Sequence, residues 1–201
     1  YRINKNIRGF ERFDSQRHVS DNIDSDVVDC LVKSVSDNFY ISKKFYKLKS
    51  KLFGVEKLEY NERSLEYGVI NKEYNYENSV ELVKETFKSI DSEFYNILLK
   101  LLNGFIDVFP RIGKSDGAFC ASGSIKDPVY IMLNHNNKLN DVLTIAHECG
   151  HAINDYFMMN NSNSLYFGNS LAIAEVASTF FEDFVLEKIL ENADDELKLS
   201  I

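Results

Sequence analysis

Residues 144–155 read TIAHECGHAIND, and positions 147–151 place two histidines, a glutamate and a cysteine within little more than one helical turn. On a helix that turns about 100° per residue, His147 and His151 lie about 40° apart and project to the same side. Glu148 lies about 60° from His151, so its carboxylate can approach the same space without being a ligand. Two neutral imidazoles suit zinc, and a carboxylate between them suits a general base.

The two middle positions of HECGH differ in the side of the helix that they occupy. Cys149 lies about 200° from His147, in line with the apolar stripe of the helix, so we expect a packed thiol rather than a ligand. Gly150 lies at about −60°, where we expect the missing side chain to leave room beside a metal. The alternative is a pair of histidines on a solvated helix face, and a third ligand decides between the two interpretations.

Glu175 is the candidate third ligand. It lies in LAIAEVASTFFEDF, residues 171–184, where four small or apolar neighbours are expected to bury it: Ala172, Ala174, Val176 and Ala177. A bare buried carboxylate is costly, and a bound metal would offset that cost. Small residues in this segment would also let its helix approach the HECGH helix closely. The alternative is an exposed helix glutamate.

Other polar residues have less specific interpretations. Asp155, Glu182 and Asp183 are candidates to accept a hydrogen bond from the imidazoles, although each could be a plain solvated carboxylate. His18 lies in a polar stretch and is expected at the surface. His135 precedes the HECGH helix by a short loop, where a role in lining a channel is the less favoured of two interpretations.

Composition and charge limit the possible classes of protein and of partner. The chain has 201 residues, and a hydrophobic content of 44% is ample for a packed core. A net charge of −8 argues against nucleic acid or an anionic membrane as the main partner. No run reaches the ~18 apolar residues of a membrane span, and the first residues lack the apolar core of a secretory signal. Three widely spaced cysteines predict no disulfide framework and favour a cytoplasmic location.

Apolar periodicity predicts two long helices in the first half of the chain. The first covers residues 24–53 and is stopped by Gly54, with Phe39, Phe45 and Phe53 expected in its core-facing stripe. The second covers residues 78–104, and the spacing of Asn78 and Glu81 predicts a capping box at its start. Residues 55–77 are polar and rich in tyrosine, which is typical of a loop.

The second half of the chain has a different organisation. Residues 110–128 are dense in Gly, Ser, Asp and Pro, which indicates turns, and PVYIMLN at 128–134 predicts a short strand. Asn140 is expected to cap the helix that carries HECGH. A last helix is expected from about Leu171 to about Asn192. The sequence therefore predicts a mainly α fold with a small β element before the HExxH helix.

These motifs resemble the M3 family of zinc metallopeptidases, and in particular its oligoendopeptidase F branch. HECGH is followed 24 residues after His151 by Glu175 in AEVAST, as in that family. The segment FIDVFPRIGKSDGAFCASGS, residues 105–124, resembles the part of the branch that precedes the active site. YIMLNHNNKLNDVLTIAHECGHAI resembles its strand, loop and active-site helix, and RGFERF and DNIDSDVVDCL resemble its earlier helical region. The likeness covers nearly the whole chain and is weakest at residues 55–77.

The resemblance implies an HExxH peptidase that hydrolyses peptide bonds in short peptides, with a zincin-like catalytic helical region. It implies one Zn²⁺ per chain, held by His147, His151 and Glu175, with Glu148 as the catalytic glutamate. The strand near YIMLN, or the stretch Gly117–Gly123, would border the substrate backbone. Oligopeptides are the expected partners, with no nucleic acid and no membrane, and the sequence does not give the oligomeric state.

The resemblance also implies that residues 1–201 are a partial catalytic domain. Residues 1–104 would be its helical region, 105–135 a small β and Gly-rich substrate-edge region, and 139–201 the zinc-binding helices. The family's N-terminal lobe and its C-terminal part are expected to be absent from this piece. We therefore expect a truncated and weakly active metalloendopeptidase, or alternatively a non-catalytic zinc-binding helical module that needs a partner. A helical interaction domain with a chance HExxH is the third possibility.

Overall fold

The computed structural model describes residues 2–63, 65, 67, 73–191 and 193–200, which form a mainly helical protein with a three-stranded sheet. The chain divides into two compact units. One comprises Tyr1–Val69 with Asp194–Ile201, and the other comprises Ile70–Ala193. Within the described ranges, no helix combines the length and the apolar character needed to cross a membrane.

The first unit is built from short and medium helices. In chain order they are α1 (Arg2–Arg8), α2 (Ser15–Asp21), α3 (Ser25–Asp37) and α4 (Phe39–Leu52), followed by a 3₁₀ turn at Tyr60–Glu62 and, after the second unit, by α9 (Asp195–Ser200).

The single helix predicted over residues 24–53 is wrong, because Asn38 separates α3 from α4. The backbone of Asn38 has φ −103° and ψ 7°, outside the helical range. Its side-chain Nδ2 donates a hydrogen bond to the carbonyl of Ser34 at 2.8 Å, and such local bonds compete with the helical ladder. Gly54 has a φ of 69° just after α4, which suits a residue that ends a helix.

The apolar stripe of α3 and α4 is exposed. None of the described residues of α3 is buried, and the expected core residues Phe39 and Phe45 are 55% and 51% exposed. The prediction that they form core is therefore wrong. Phe53 is half-buried and stacks edge-on against Tyr67 at 5.7 Å between ring centroids. The apolar periodicity identifies the apolar face of α3 and α4 correctly, but most of that face is not covered by any described residue.

His18 is buried rather than at the surface, with only 6% of its area exposed. Its Nδ1 lies 2.9 Å from the hydroxyl of Ser25, and its Nε2 lies 3.7 Å from the carboxylate of Asp14. These polar partners lie close to it along the chain and satisfy the ring without a large core. The prediction of a surface position was wrong because polar residues that are close in sequence can still bury a histidine and satisfy its ring nitrogens.

The second unit holds the larger core and all of the sheet. Its helices are α5 (Tyr76–Ile90), α6 (Ser92–Leu102), α7 (Leu139–Asn161) and α8 (Leu171–Leu190). Its strands are β1 (Ile106–Asp107), β2 (Phe119–Ala121) and β3 (Tyr130–Met132).

The helix predicted over residues 78–104 is also two helices. Asn75, rather than Asn78, caps α5, since its side chain accepts a hydrogen bond from the amide of Asn78 at 2.9 Å. Asp91 is extended, with φ −156° and ψ 139°, and its side chain caps α6 through the amide of Glu93. The predicted loop at 55–77 includes the 3₁₀ turn and the start of α5, while positions 64, 66 and 68–72 lie outside the described residues.

The sheet has the order β1-β3-β2, with β1 parallel and β2 antiparallel to β3. Ile131 in β3 pairs with Ile106 on one side and with Cys120 on the other, and it is 2% exposed. The strand predicted within residues 128–134 is thus confirmed. Strand β2 lies at one edge of the sheet, so one of its sides has no strand partner in the described sheet.

Helices α7 and α8 pack closely against each other at Gly150. A Cβ atom at this position would lie 2.8 Å from the Cα of Ser178 and 2.9 Å from the carbonyl oxygen of Ala177. The missing side chain therefore serves the helix crossing, and the expectation that it leaves room beside a metal is wrong. The start of α7 also differs from the prediction. Lys138 occupies the N-cap position, and Asp141 accepts hydrogen bonds from the amides of Lys138 and Asn136.

Candidate metal centre

The two histidines of HECGH lie one turn apart on α7 and project to the same side. Their ring centroids are 4.9 Å apart and the rings are nearly perpendicular, at 85°. The side chains of His147 and His151 are 28% and 22% exposed. Both imidazoles are therefore mostly buried but remain accessible from one side.

Glu175 projects from the N-terminal part of α8 towards both imidazoles. Its Oε2 lies 3.2 Å from Nε2 of His147 and 3.4 Å from Nε2 of His151. The three residues each offer one ligand atom, and all these atoms lie within 4.8 Å of one another. Zinc–ligand bonds of about 2.0–2.1 Å at tetrahedral angles place two donors about 3.4 Å apart, so this donor set fits zinc.

The surroundings of Glu175 differ from the prediction. Its side chain is 57% exposed and Val176 is 64% exposed, so small apolar neighbours do not bury the carboxylate. Ser178 instead holds it, because the Ser178 hydroxyl donates a hydrogen bond to Oε2 at 2.7 Å. That bond lowers the pKa of Glu175, aided by the nearby imidazoles. The carboxylate is thus kept ionised and oriented, as a metal ligand requires.

Glu182 lies on the far side of the first imidazole. Its Oε2 is 2.9 Å from Nδ1 of His147, so the ring donates its Nδ1 proton to this carboxylate while Nε2 faces Glu175. Of the three carboxylates proposed to orient the imidazoles, Glu182 alone has a hydrogen bond of this kind among the described residues. Asp183 is exposed, and Asp155 accepts its hydrogen bond from the side chain of Ser122.

The second imidazole is held in a different way. Burial lowers the pKa of His151, and the negative charge of Glu175 opposes this effect. The main chain of Ala174 also hydrogen-bonds the ring. Asp155 acts on His151 only through its charge, and its own pKa is raised mainly by burial. The ring is consequently neutral near pH 7, which is the form that binds a metal.

Glu148 is almost fully buried, with 7% of its area exposed. Burial raises the pKa of its carboxyl group, while the charge of His147 and a hydrogen bond from the main chain of Cys120 oppose the shift. A carboxylate with a raised pKa takes up a proton more readily near neutral pH. Glu148 lies between the two imidazoles in sequence and is not within the cluster of converging ligand atoms.

A cleft of about 370 Å³ joins these side chains to the edge of the sheet. It is lined by Ala118, Phe119 and Cys120 from β2 and the residue before it, and by His147, Glu148, His151, Asp155 and Glu175. Strand β2 thus forms the wall opposite the two helices. The cleft could hold an extended chain between its edge strand and the imidazoles.

The hydrogen bond from Cys120 to Glu148 could not be found from the sequence, because the donor is the main-chain amide of Cys120 and not its side chain. Both cysteines of this region are packed thiols, as expected. Cys149 is fully buried, and burial raises its pKa to about 12. Cys120 is half-buried, and burial also raises the pKa of its thiol. Neither sulfur is among the converging ligand atoms.

Comparison with known families shows a match that covers almost the entire chain. Residues 2–198 match Peptidase family M3. An oligoendopeptidase F homolog of Borreliella burgdorferi is 30% identical over 196 residues, which are 96% of this chain and 33% of that protein. The oligopeptidase PepF of Bacillus subtilis is 28% identical over 88% of this chain and 27% of its own length. The chain therefore spans about a third of the length of these curated relatives.

Solved structures show the same fold. A Bacillus anthracis strain Ames structure described as an oligoendopeptidase F superposes with a TM-score of 0.82 at 21% identity, covering 98% of this chain and 37% of the other. A structure of PZ peptidase A with an inhibitor superposes with a TM-score of 0.72 at 20% identity, covering 89% and 33%. These likenesses agree with the mainly α architecture predicted from the sequence.

Proposed function

The chain belongs to peptidase family M3, and on that premise we propose that it carries the catalytic centre of a zinc-dependent metalloendopeptidase acting on short peptides. One observation carries the proposal. The Nε2 atoms of His147 and His151 converge with a carboxylate oxygen of Glu175, while the buried Glu148 stands beside them. This set provides three ligands and leaves a position open, which is the composition of a hydrolytic rather than a structural zinc site.

Each residue has a distinct role in the proposed reaction. Zinc in such a site supplies Lewis acidity, which polarises a peptide carbonyl and acidifies water. Glu148 accepts the proton from the attacking water and delivers it to the amine of the leaving peptide. The amide of Cys120 holds the Glu148 carboxylate in place, and Glu182 keeps the proton of His147 on Nδ1. Ser178 orients Glu175 by its hydroxyl.

The peptide would lie along β2, in the cleft shared by this edge strand and the metal-binding side chains. An edge strand offers main-chain amides and carbonyls to an extended ligand, so this part of the affinity does not depend on the side chains of the peptide. The wall contributed by Ala118 and Phe119 is consistent with this mode. It is also consistent with the name oligoendopeptidase borne by the relatives.

The 201-residue chain is proposed to be a weak catalyst when it is alone. It spans about a third of its curated relatives, and Glu175 is 57% exposed, so water has ready access to the site. Water weakens electrostatic stabilisation of a transition state. The same exposure favours a second candidate, a zinc-binding helical module that becomes active only with a partner.

Substitution of Glu148 by Gln tests the proposed base. The variant should keep its zinc, because Glu148 is not a ligand, and it should lose turnover of a quenched fluorescent peptide by about 10²–10⁴-fold. Zinc content and peptide hydrolysis are both measured, with and without a chelator. Asp183→Asn, which removes an exposed carboxylate on α8, is the matched control and should keep both properties.

Two outcomes would contradict the proposal in different ways. Chelator-resistant hydrolysis, or full turnover by Glu148→Gln, would remove the assigned chemistry. Stoichiometric zinc with no turnover in either the wild-type chain or the control would favour the non-catalytic module. Absence of zinc after gentle purification and zinc addition would refute both interpretations.

A further inference from the structure

A second cavity lies beside the metal centre along the same face of α7. It encloses about 390 Å³, and Ala118 lines both this cavity and the cleft of the metal centre. Asp141 and Thr144 of α7 line the cavity, and one or two turns further along the helix His147 and Glu148 line the cleft. The two spaces therefore share the residue that precedes β2 and one face of α7. We call the second space the Asp116 pocket.

The hydrogen-bond donors around the Asp116 pocket are largely committed to the protein itself. The side-chain amide of Asn134 donates to the carbonyls of Ser115 and Gly117 at 2.8 and 2.9 Å. The hydroxyl of Thr144 donates to the carbonyl of Asn140 at 2.9 Å. Nδ1 of His135 accepts from the amide of Asn137 at 3.3 Å.

His135 brings no positive charge to the pocket. With Nδ1 accepting, its ring proton is placed on Nε2, towards the hydroxyl of Ser79 at 3.3 Å. The side chain is 4% exposed, and burial lowers its pKa. The imidazole is therefore neutral near pH 7, and its one proton is used inside the protein.

Acceptors, in contrast, remain available. Among the described residues, Asp116 lines the pocket without a hydrogen-bond or ion-pair partner. Oδ2 of Asp141 accepts from two main-chain amides, and its Oδ1 has no such partner in the part of the chain that the structure describes. Asn134 uses its amide nitrogen, which leaves its side-chain oxygen. No lysine or arginine lines the pocket within the described residues.

A surface with uncommitted acceptors, two carboxylates and no cation is complementary to a group that carries only donors. Ammonium and guanidinium groups are of this kind. From Asp141 to Glu148 the helix advances about 10 Å, at about 1.5 Å per residue. An extended peptide covers that distance in about three residues. We propose that the Asp116 pocket binds a cationic group of the peptide substrate about three residues from the bond that is cleaved.

This inference rests on the proposed peptidase function for its ligand class, and it adds a preference for basic peptides. The cation could be a lysine or arginine side chain, or the free amino terminus of a short peptide. The two sources share one chemistry and can be separated by blocking the terminus. The test therefore measures binding rather than turnover, which keeps it independent of the catalytic rate.

The test uses the full 201-residue chain with zinc added and carrying Glu148→Gln, so that bound peptides are not consumed. Blocked fluorescent peptides place one lysine at each position in turn, and a norleucine series provides the uncharged counterpart. A peptide without lysine but with a free amino terminus tests the second source. Affinity is measured by fluorescence anisotropy in low and high salt.

Asp116→Asn and the double variant Asp116→Asn/Asp141→Asn remove the charges while keeping acceptor oxygens, so the cap of α7 is retained. The best lysine peptide should bind the double variant about tenfold more weakly, and the single variant about threefold more weakly. The norleucine peptides should bind all forms alike. Asp127→Asn, which changes an exposed carboxylate in the loop between β2 and β3 that does not line the pocket, should change nothing.

Equal affinity for lysine and norleucine peptides, or the same loss in Asp127→Asn, would overturn the inference. So would a failure of every lysine peptide to bind. Failure of the peptidase proposal is recognised separately, by a wild-type chain that binds zinc but cleaves no peptide. Cleavage by the wild-type chain, together with equal binding of the lysine and norleucine series, would instead refute the pocket alone.

Discussion

Apolar residues recur at helical spacing in both α3 and α7, yet the two helices reach opposite degrees of burial. In α7, Ile145, Cys149 and Ile153 are almost completely buried, and the helix packs against α5, α6, α8 and the sheet. In α3, none of the described residues is buried, and Leu31 is 63% exposed. The pattern in α3 is at least as regular, so regularity does not decide the outcome.

The difference shows what helical periodicity can and cannot tell. The spacing of apolar residues gives the type of element and the face that would be buried. Burial itself also requires a partner surface, which for α7 comes from α5, α6, α8 and the sheet of the same unit. The three predictions below test whether the α7–α8 pair and the α3–α4 pair differ in energy as they differ in burial.

The largest effect is expected for a core aromatic residue. Phe181 is 2% exposed, and its ring lies 4.4 Å from that of Phe87 and 5.0 Å from that of Phe94. Phe181→Ala should lower the free energy of unfolding by about 3–5 kcal/mol, because it removes buried area and leaves a cavity. Phe45→Ala on α4 is the matched control and should change it by about 0.5 kcal/mol at most.

Urea unfolding followed by circular dichroism measures both changes. A large loss in Phe45→Ala would mean that its face is covered in solution, and the contrast between the two helix pairs would disappear. The apolar face of α4 would then need to be treated as core despite its exposure of 51% at this position.

The second effect concerns the crossing point of α7 and α8. Gly150→Ala places a methyl group against the backbone of Ser178 and Ala177, which cannot move aside as a flexible side chain would. We expect a loss of about 1–3 kcal/mol in the free energy of unfolding, together with weaker zinc binding, because the ligands lie on the two helices that are forced apart. Thermal unfolding and zinc titration provide the two measurements.

Ser34→Ala is the control for this substitution, since Ser34 lies on the exposed surface of α3. It should change stability by about 0.5 kcal/mol at most. If Gly150→Ala were equally mild, the close contact between α7 and α8 would not exist in solution, and the site built across it would be in doubt.

The smallest effect is expected at Glu182, which contacts no ligand atom of the proposed site. Glu182→Gln should weaken zinc binding by about 10–100-fold, because the neutral amide no longer fixes the proton of His147 as strongly. Asp183→Asn should leave zinc affinity unchanged, since this neighbour is exposed. Competition with a chromophoric chelator gives both values. Equal affinities in the two variants would show that the hydrogen bond between Glu182 and His147 does not support the site.

Much of the candidate site could be anticipated because the helix itself fixes the angles between its residues. A rotation of about 100° per residue around the helix axis is enough to place His147, Glu148 and His151 relative to one another. The structure brings Glu175 to them, as expected, although the reason given for it was wrong, since the carboxylate is exposed. Its orientation depends on Ser178, at i+3, and the binding of metal by these residues stays a prediction.

The two errors in helix length have a common cause, which is that the apolar periodicity continues through a helix break. Asn38 and Asp91 interrupt the backbone without interrupting the apolar pattern. The signal at Asp91 was available, because an aspartate followed by Ser92 and Glu93 is typical of a helix start. No comparable signal marks Asn38. The role of Gly150 depends on the position of α8, which the angle on α7 cannot give.

The candidate ligands are divided unequally, two on α7 and one on α8. An ion held by all three would join the first turns of α8 to the middle of α7 and close the chain between His151 and Glu175 into a ring. It would act as a reversible cross-link whose strength depends on supply, since free zinc at a hundredfold excess over its Kd adds about 2.7 kcal/mol to the folded state. The melting temperature of the chain would then rise with the concentration of free zinc, even when no peptide is present.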